Sequence, residues 1–295
     1  FQTGIAIYRA QRFRLSRTRW RGIRASLEGS SLSYGWTHFW TLLTLPLTLG
    51  WSAPWRSTKL QRLITNDMRF GTRPFQFSAS SKPLYLPFAV YWLLMVLLFA
   101  LVMAVVGGST ATLIGPLEDG KPTPAPAPGK VAALVVIVYG TLFVAGLLYM
   151  VLSAWYRATM TRHFARHTHL DGLAFESTVT GRGLLWISVS NYFILMLGAA
   201  VVTLLLTALA TFAWRALGPD IIGPQGSPAI VTGLGFVFLL STSLLLPVTQ
   251  ARATGYQVRN LQLSGGLDMS SIAAGAEPTS KRGEGLAQAF DIDAL

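Results

Sequence analysis

The chain has no cysteine, so disulfides and thiolate metal sites are excluded, and redox arguments leave the compartment open. Charge is scarce. Asp, Glu, Lys and Arg make up 12% of the 295 residues, against ~25% in soluble domains, while 52% are hydrophobic and the mean hydropathy is +0.47. Most of such a chain cannot face water. Acids are scarcer still, at 12 Asp plus Glu against 24 Lys plus Arg, for a net charge of +12. In a soluble protein that balance points to nucleic acid. Here the position of the charge matters more than its sum, and no nucleic-acid partner is expected. No Walker loop, HExxH pair, GxSxG elbow or paired carboxylate set occurs in the charged segments, which argues against an enzyme.

What is present is five long uncharged windows: 29–55, 83–117, 131–156, 183–214 and 221–251. Each exceeds the ~20 residues that cross a bilayer. None contains an acid, a Lys or an Arg; His38 and neutral polar residues such as Asn191 are the only interruptions. Transport chemistry usually leaves paired ionisable groups inside the membrane, so proton coupling is disfavoured, and Asn191 reads as a contact between helices.

The cations gather between the windows. Arg9, Arg12, Arg14, Arg17, Arg19, Arg21 and Arg24 precede Ser31; Arg56, Lys59, Arg62, Arg69, Arg73 and Lys82 follow the first window; Arg157, Arg162, Arg166 and Arg182 follow the third; Arg252, Arg259, Lys281 and Arg282 follow the last. The other two loops, around 107–130 and 215–229, are rich in proline and glycine and nearly neutral. Positive charge stays in the cytoplasm, which predicts four cytoplasmic connectors, a cytoplasmic C-terminus and two external loops. Helices are expected near 84–106 with 131–155, and near 190–214 with 231–250.

Internal similarity organises the chain further. "AIYRA" at 6–10 resembles "AWYRA" at 154–158, and "RTRWRG" at 17–22 aligns with "HTHLDG" at 167–172. "PWRSTKLQRLITN" at 54–66 matches "PVTQARATGYQVRN" at 247–260, read as a helix end, a proline, a basic turn and an asparagine. The expectation is repeat one at about 8–82, a helical hairpin at 83–156, repeat two at about 156–272 and a cytoplasmic tail at 273–295. Phe1–Ile7 read as the tail of a transmembrane helix that begins before Phe1.

All four connectors set an apolar residue (Trp20, Phe70, Leu170, Leu263) within two positions of a glycine (Gly22, Gly71, Gly172, Gly265). Alternation follows: Ile23, Ala25 and Leu27 against Arg24, Ser26 and Glu28; Phe75 and Phe77 against Gln76 and Ser78; Phe175, Ser177 and Val179 against Glu176 and Thr178. Period two beside a glycine predicts short β-hairpins. Isolated two-stranded hairpins are marginal in water, so these must pack on the membrane surface or on one another. The fourth connector, "LQLSGGLDMS", fits the pattern less well.

The window at 34–55 breaks the simple topology, because both flanks are basic and one crossing would export a cationic connector. His38, Thr41, Thr44, Thr48 and Ser52 recur every three or four residues on one helical stripe, and Pro46 lacks the amide an unbroken helix needs. This predicts a re-entrant or interfacial element bent at Pro46, against the alternative of one ordinary crossing.

"LSRTRWRGIRASLEGS", "LTLPLTLGWSAPW" with its basic follow-on, "RFGTRPFQF" and the terminal "EGLAQAFDIDAL" resemble the YjgN-like family of bacterial inner-membrane proteins, a domain of unknown function. The resemblance covers almost the whole chain. Its members usually carry a further repeat unit ahead of this point, and the 183–250 segment is longer here than the family's usual spacer. It implies an inner-membrane location and supplies no catalytic residues.

Among candidate sites, "RHFARHTHLDG" holds the sharpest metal-like spacing, with His163 and His167 one turn apart and His169, Asp171 and Glu176 nearby. His167 and His169 fall where the first copy has Arg17 and Arg19, so the slots read as cationic, and no metal or cofactor is expected. Arg17, Arg19, Trp20, Arg21 and Arg24 are the candidate lipid-headgroup contacts, a cuff at the anionic inner leaflet. The tail "GEGLAQAFDIDAL" can form a short amphipathic helix with Leu286 and Phe290 one turn apart. The sequence therefore predicts an all-α polytopic membrane protein built from two related repeats, with short β-hairpins in its cytoplasmic connectors. Its candidate partners are membrane lipids and a membrane protein, and it acts as an interaction or accessory component; the rival is a transporter or lipid-handling protein using 34–55.

Overall fold

The computed structural model describes residues 1–114, 127–217 and 243–266, together with 233, 235–239 and 272. The neutral loop at 115–126, most of 218–242, and the tail with its "GEGLAQAFDIDAL" helix lie outside these residues. The elements run α1 (Gln2–Ser16), β1 (Arg19–Trp20), β2 (Ile23–Leu27), α2 (Ser31–Leu47), α3 (Ala53–Asp67), β3 (Met68–Phe70), β4 (Arg73–Phe77), α4 (Lys82–Ile114) and α5 (Pro128–Arg166). They continue with β5 (Thr168–Leu170), β6 (Leu173–Ser177), α6 (Gly181–Leu217), α7 (Leu246–Arg259) and β7 (Leu261–Gly265). Two units are distinguished: Phe1–Ala145, Thr159–Thr178 and Leu261–Leu295 form one, Gly146–Ala158 and Val179–Asn260 the other.

The hairpins expected from the alternation are present, but not as separate pieces. In the first unit they join edge to edge in chain order into one seven-stranded antiparallel sheet. The three complete hairpins each turn on two residues, with Trp20 opposite Ile23, Phe70 opposite Arg73 and Leu170 opposite Leu173. Tight two-residue turns need left-handed backbone. Arg21 (φ 50), Gly22 (φ 82), Gly71 (φ 56) and Asp171 (φ 49) supply it. Between hairpins, Leu27 faces Met68, Phe77 faces Thr168 and Ser177 faces Leu261. Mutual pairing satisfies the strand edges and supplies what an isolated hairpin lacks. The all-α expectation is thereby corrected: the molecule is mostly helical and also carries a continuous seven-stranded sheet.

Opposed residues share a face. One face carries Trp20, Ile23, Ala25, Leu27, Phe70, Phe75, Phe77, Leu170 and Phe175. It is knitted by Trp20 on Phe70 and Phe75 on Phe175, each with ring centroids 6.0 Å apart. Phe77 meets Phe164 of α5 edge-on at 5.4 Å. The same face of β2 closes on a core of Tyr8, Leu27, Tyr34 and Leu60, with Leu15, Leu63, Ile64 and Met68 against it. The opposite face carries Arg19, Arg24, Ser26, Arg69, Gln76, His169 and Glu176.

Gly265 corrects the fourth connector. Its glycine is not in a turn; it lies in β7 opposite Leu173, at φ 106, where a Cβ would overlap the carbonyl of Gly172. A bare backbone is needed for that approach.

The two proline segments are also corrected. Pro54 and Pro247 do not end helices; each sits in the first turn of one, α3 and α7. There the missing amide costs nothing because no carbonyl awaits it. The reversal after α2 comes later than Pro46, which lies inside the helix. The chain turns at Leu49 (φ 48) and Gly50 (φ 84), with the Gly50 amide on the Leu45 carbonyl at 2.6 Å. One proline in a last helical turn removes a single hydrogen bond, whereas two left-handed residues redirect the chain. The backbone amide of Glu28 then donates to the carbonyl of Asp67 at 3.0 Å, so the excursion from 28 to 67 leaves and returns at one end.

Among the described residues, three helices are long and apolar enough to cross a membrane: Lys82–Thr112, Pro128–Arg166 and Gly181–Leu209, none of them buried within the molecule over its most apolar stretch. They outrun the expected spans. At 39 residues α5 extends about 60 Å, and its polar final turns reach the sheet. In the second unit, Asn191 of α6 donates to the Thr249 carbonyl of α7 at 3.1 Å, and Arg252 donates to Ser190 Oγ at 2.8 Å. Asn191 joins two helices, as its place in an apolar window implies.

Candidate functional site

The five headgroup candidates do not form one patch. Arg17 caps α1, its guanidinium 5.1 Å from the centre of the Phe13 ring. Arg19 and Arg24 are opposed across β1–β2 and share the polar face, while Trp20 and Ile23 share the other. Arg21 sits at the turn, 5.1 Å over the Trp20 ring. Trp20 is exposed and packed between that cation and Phe70. The hairpin thus presents an indole on one side and two guanidinium groups on the other, with Arg21 at the rim.

The metal-like cluster is not assembled as a set, although the His163 and His167 rings lie 4.5 Å apart. His163 donates Nε2–H to the Ser80 carbonyl, and His167 donates Nδ1–H to the His163 carbonyl, both at 2.8 Å; a carbonyl only accepts, which fixes the direction. His169 lies on the polar face opposite Gln76. Asp171 pairs with Arg73 and Glu176 with Arg166, each at 3.3 Å. Among the described residues no three His, Asp or Glu groups converge as metal ligands.

What sequence reasoning missed is a polar seam joining α1, α2 and α3. Gly4 lies close against Gly35 and His38, so the first two helices nearly touch. One turn below, fully buried Tyr8 donates its phenol proton to Asp67 Oδ2 at 2.8 Å, and Arg12 stacks 5.4 Å over the Tyr8 ring while donating to the Gly29 carbonyl. Burial first, and then the bond to Asp67, push the Tyr8 phenol well above its ordinary range.

One turn along α2, Tyr34 stacks on Tyr8 at 5.3 Å and lies 6.3 Å from His38. Arg56 of α3 reaches back so that Nη2 is 3.0 Å from His38 Nε2. A guanidinium only donates, so Nε2 accepts and the proton of His38 sits on Nδ1. Burial first and the Arg56 charge second hold the imidazole below its usual pKa, keeping it neutral. Its Nδ1 and the Nε of Arg56 are buried without a hydrogen-bond partner among the described residues. With Nε2 already engaged, His38 cannot serve as a base there; Nδ1–H is a donor that can hold an acceptor. The threonine stripe continues toward the turn, where Thr44 and Thr48 each lie 3.0 Å from Ser52 Oγ.

His38 was visible as the one ionisable group in the apolar windows. Tyr8 and Asp67, 59 positions apart, carry no local signal, although Asp67 is the single acid between Glu28 and Glu118 besides the six cations of its connector.

No curated protein and no solved structure matches the chain. A family model does, described as "Bacterial protein of unknown function (DUF898)", and it matches residues 1–289. With that extent matched, the chain belongs to this bacterial family, the YjgN-like membrane proteins.

Proposed function

We propose that this protein is a multi-pass component of the bacterial inner membrane, acting as a non-catalytic interaction or accessory protein. Its sheet and C-terminus lie in the cytoplasm. The observation that carries the reading is the sheet itself. The basic connectors converge on it, and α4 and α5, long and apolar, leave from it and return to it. In this reading the cations face the anionic leaflet, where each contributes ~1 kcal/mol, and the apolar helix surface meets lipid or a membrane protein partner. Arg17, Arg19, Arg21 and Arg24 with Trp20 form the cuff in this reading. The matching two-residue turns of the first three hairpins support an internal repeat.

A second reading, movement of a lipid or neutral solute through the element at 34–55, is favoured by one observation: the unpartnered His38 Nδ1 and Arg56 Nε in the α2–α3 hairpin. Two measurements decide between them. Protein purified from native membranes should bring down a stoichiometric partner, and proteoliposomes should neither flip a fluorescent phospholipid nor leak small neutral solutes faster than empty vesicles. Flux abolished by His38→Gln would overturn the accessory reading.

A further inference from the structure

The loop joining β4 to α4 and one side of α3 enclose a cleft of ≈ 340 Å³, lined by Trp55, Thr58, Lys59, Arg62 and residues 78–81. Two cations and no acid line it. Neither Lys59 nor Arg62 has an acidic partner among the described residues. The loop is anchored from two directions: Arg62 Nη2 donates to the Ala79 carbonyl at 2.7 Å, and His163 Nε2 donates to the next carbonyl, that of Ser80, at 2.8 Å. Ala79 itself is fully buried. Three hydroxyls, those of Ser78, Ser80 and Ser81, ride on this fixed segment. Ser80 Oγ accepts the Lys82 amide at 3.3 Å and keeps its own proton to donate. Arg62 has further N–H donors beyond the one that holds the loop, and Lys59 Nζ lies 4.8 Å from the centre of the Trp55 ring.

Cations, hydroxyl donors and a preorganised backbone are the chemistry that recognises a phosphate. The depth identifies its source. The lining ends at Ser81, and the first long apolar span begins at Lys82. If α4 crosses the bilayer, a group one residue ahead of the span lies among the headgroups, where tryptophans such as Trp55 concentrate.

We propose that this cleft binds the phosphate of an anionic phospholipid headgroup from the leaflet at the start of α4, a site that rests on the membrane reading above. The cleft is separate from the β1–β2 cuff: its cations come from α3 and its hydroxyls from the loop after β4. It holds one headgroup rather than attracting a leaflet in general.

The test is native mass spectrometry of the full chain in detergent, titrated with phosphatidylglycerol and, separately, phosphatidylcholine. Wild type should retain one phosphatidylglycerol in preference to phosphatidylcholine. If each cation contributes a factor of about five, Lys59→Gln with Arg62→Gln should weaken retention roughly 25-fold. Lys59→Gln alone should weaken it about fivefold; it leaves the Arg62 anchor intact and covers the case in which the double variant misfolds. Wild-type retention by a folded variant overturns the site. Inorganic phosphate forms the second arm: displacement of the lipid at matched concentration would make free phosphate the occupant and overturn the lipid assignment. Alkaline carbonate extraction of membranes tests the underlying reading separately. A chain released by carbonate fails that reading, whereas a retained chain with unaltered lipid binding in the variants fails the cleft alone.

Discussion

Tyr8 and Asp67 meet across 59 residues in a 2.8 Å hydrogen bond directly over the α-carbon of Gly29, so that a methyl group at position 29 would overlap both the phenol oxygen and the carboxylate. This one contact ties the middle of the first helix to the last residue of the third. Tyr8→Phe should lower stability by about 1–3 kcal/mol, the cost of leaving a carboxylate oxygen without its donor. Gly29→Ala should cost at least as much. Combined with Tyr8→Phe, which removes one of the three overlapping atoms, Gly29→Ala should cost less than the sum of the single changes. Unfolding in mixed micelles, followed by circular dichroism, measures all three, and strict additivity would show that the overlap is relieved some other way.

Gly265 permits the last strand pairing. Alanine there meets both an unfavourable φ of 106° and the Gly172 carbonyl, so Gly265→Ala should free β7 from β6 at a cost of about 1–3 kcal/mol or more. Hydrogen exchange should then show faster exchange across 261–265 while 23–27 keeps its protection. Unchanged protection of β7 would mean that the strand shifts without separating.

A pH dependence follows from His38. Its pKa is lowered in the folded protein, so the unfolded chain binds a proton first as pH falls. The stability this adds is complete above the unfolded pKa of ~6.5 and is lost as pH falls from there toward the lower folded value. Wild type should therefore lose stability between pH 7 and 5 faster than His38→Gln. Parallel curves for the two proteins would mean that His38 has solvent access enough to titrate normally.

How far this could be read from sequence depends on the range of the interaction. Alternation in Ile23–Ala25–Leu27 and Phe75–Phe77 reports a local pleat, and the apolar windows report burial or lipid, so strands and long helices were legible. Pairing of Leu27 with Met68 was not, since it depends on where the α2–α3 excursion returns, and that is decided at Leu49, Gly50 and the Tyr8–Asp67 bond. Pro54 and Pro247 misled because proline looks the same at the end of one helix and the start of the next. Local pattern placed Arg19 and Trp20 in one hairpin, but only the register shows that they point to opposite faces.

The strand pairing makes membrane topology testable at two positions at once. The Ser78 amide bonds the His167 carbonyl at 3.0 Å, and Ser264 faces Ala174, so both belong to one continuous sheet. A sheet whose edge strands are left open, with no β1–β7 pairing among the described residues, cannot run through the hydrocarbon of a bilayer. Cysteines at 78 and 264 should therefore respond alike to an impermeant thiol reagent in intact cells, both shielded if the sheet is cytoplasmic, while one at Thr123 should label. Labelling at 78 and 264 together would invert the orientation.

The arginines around Trp20 carry the most specific expectation. In the hairpin, Trp20 lies against Phe70 on the apolar face, Arg21 stacks on it from the turn, and Arg19 and Arg24 point the other way. On the proposed cuff reading the indole is only partly solvated, and anionic lipid should draw the hairpin down through Arg21 and Arg17 more than through the pair on the polar face. In a variant whose other eight tryptophans are phenylalanine, Trp20 emission should be blue-shifted and protected from an aqueous quencher in anionic nanodiscs. Protection should be weaker in zwitterionic ones. Arg17→Gln with Arg21→Gln should remove most of that lipid difference, at ~1 kcal/mol per cation, and Arg19→Gln with Arg24→Gln should remove less. Emission matching a fully solvated indole in both lipids would place the hairpin in water and end the cuff assignment, whatever the charge of the leaflet.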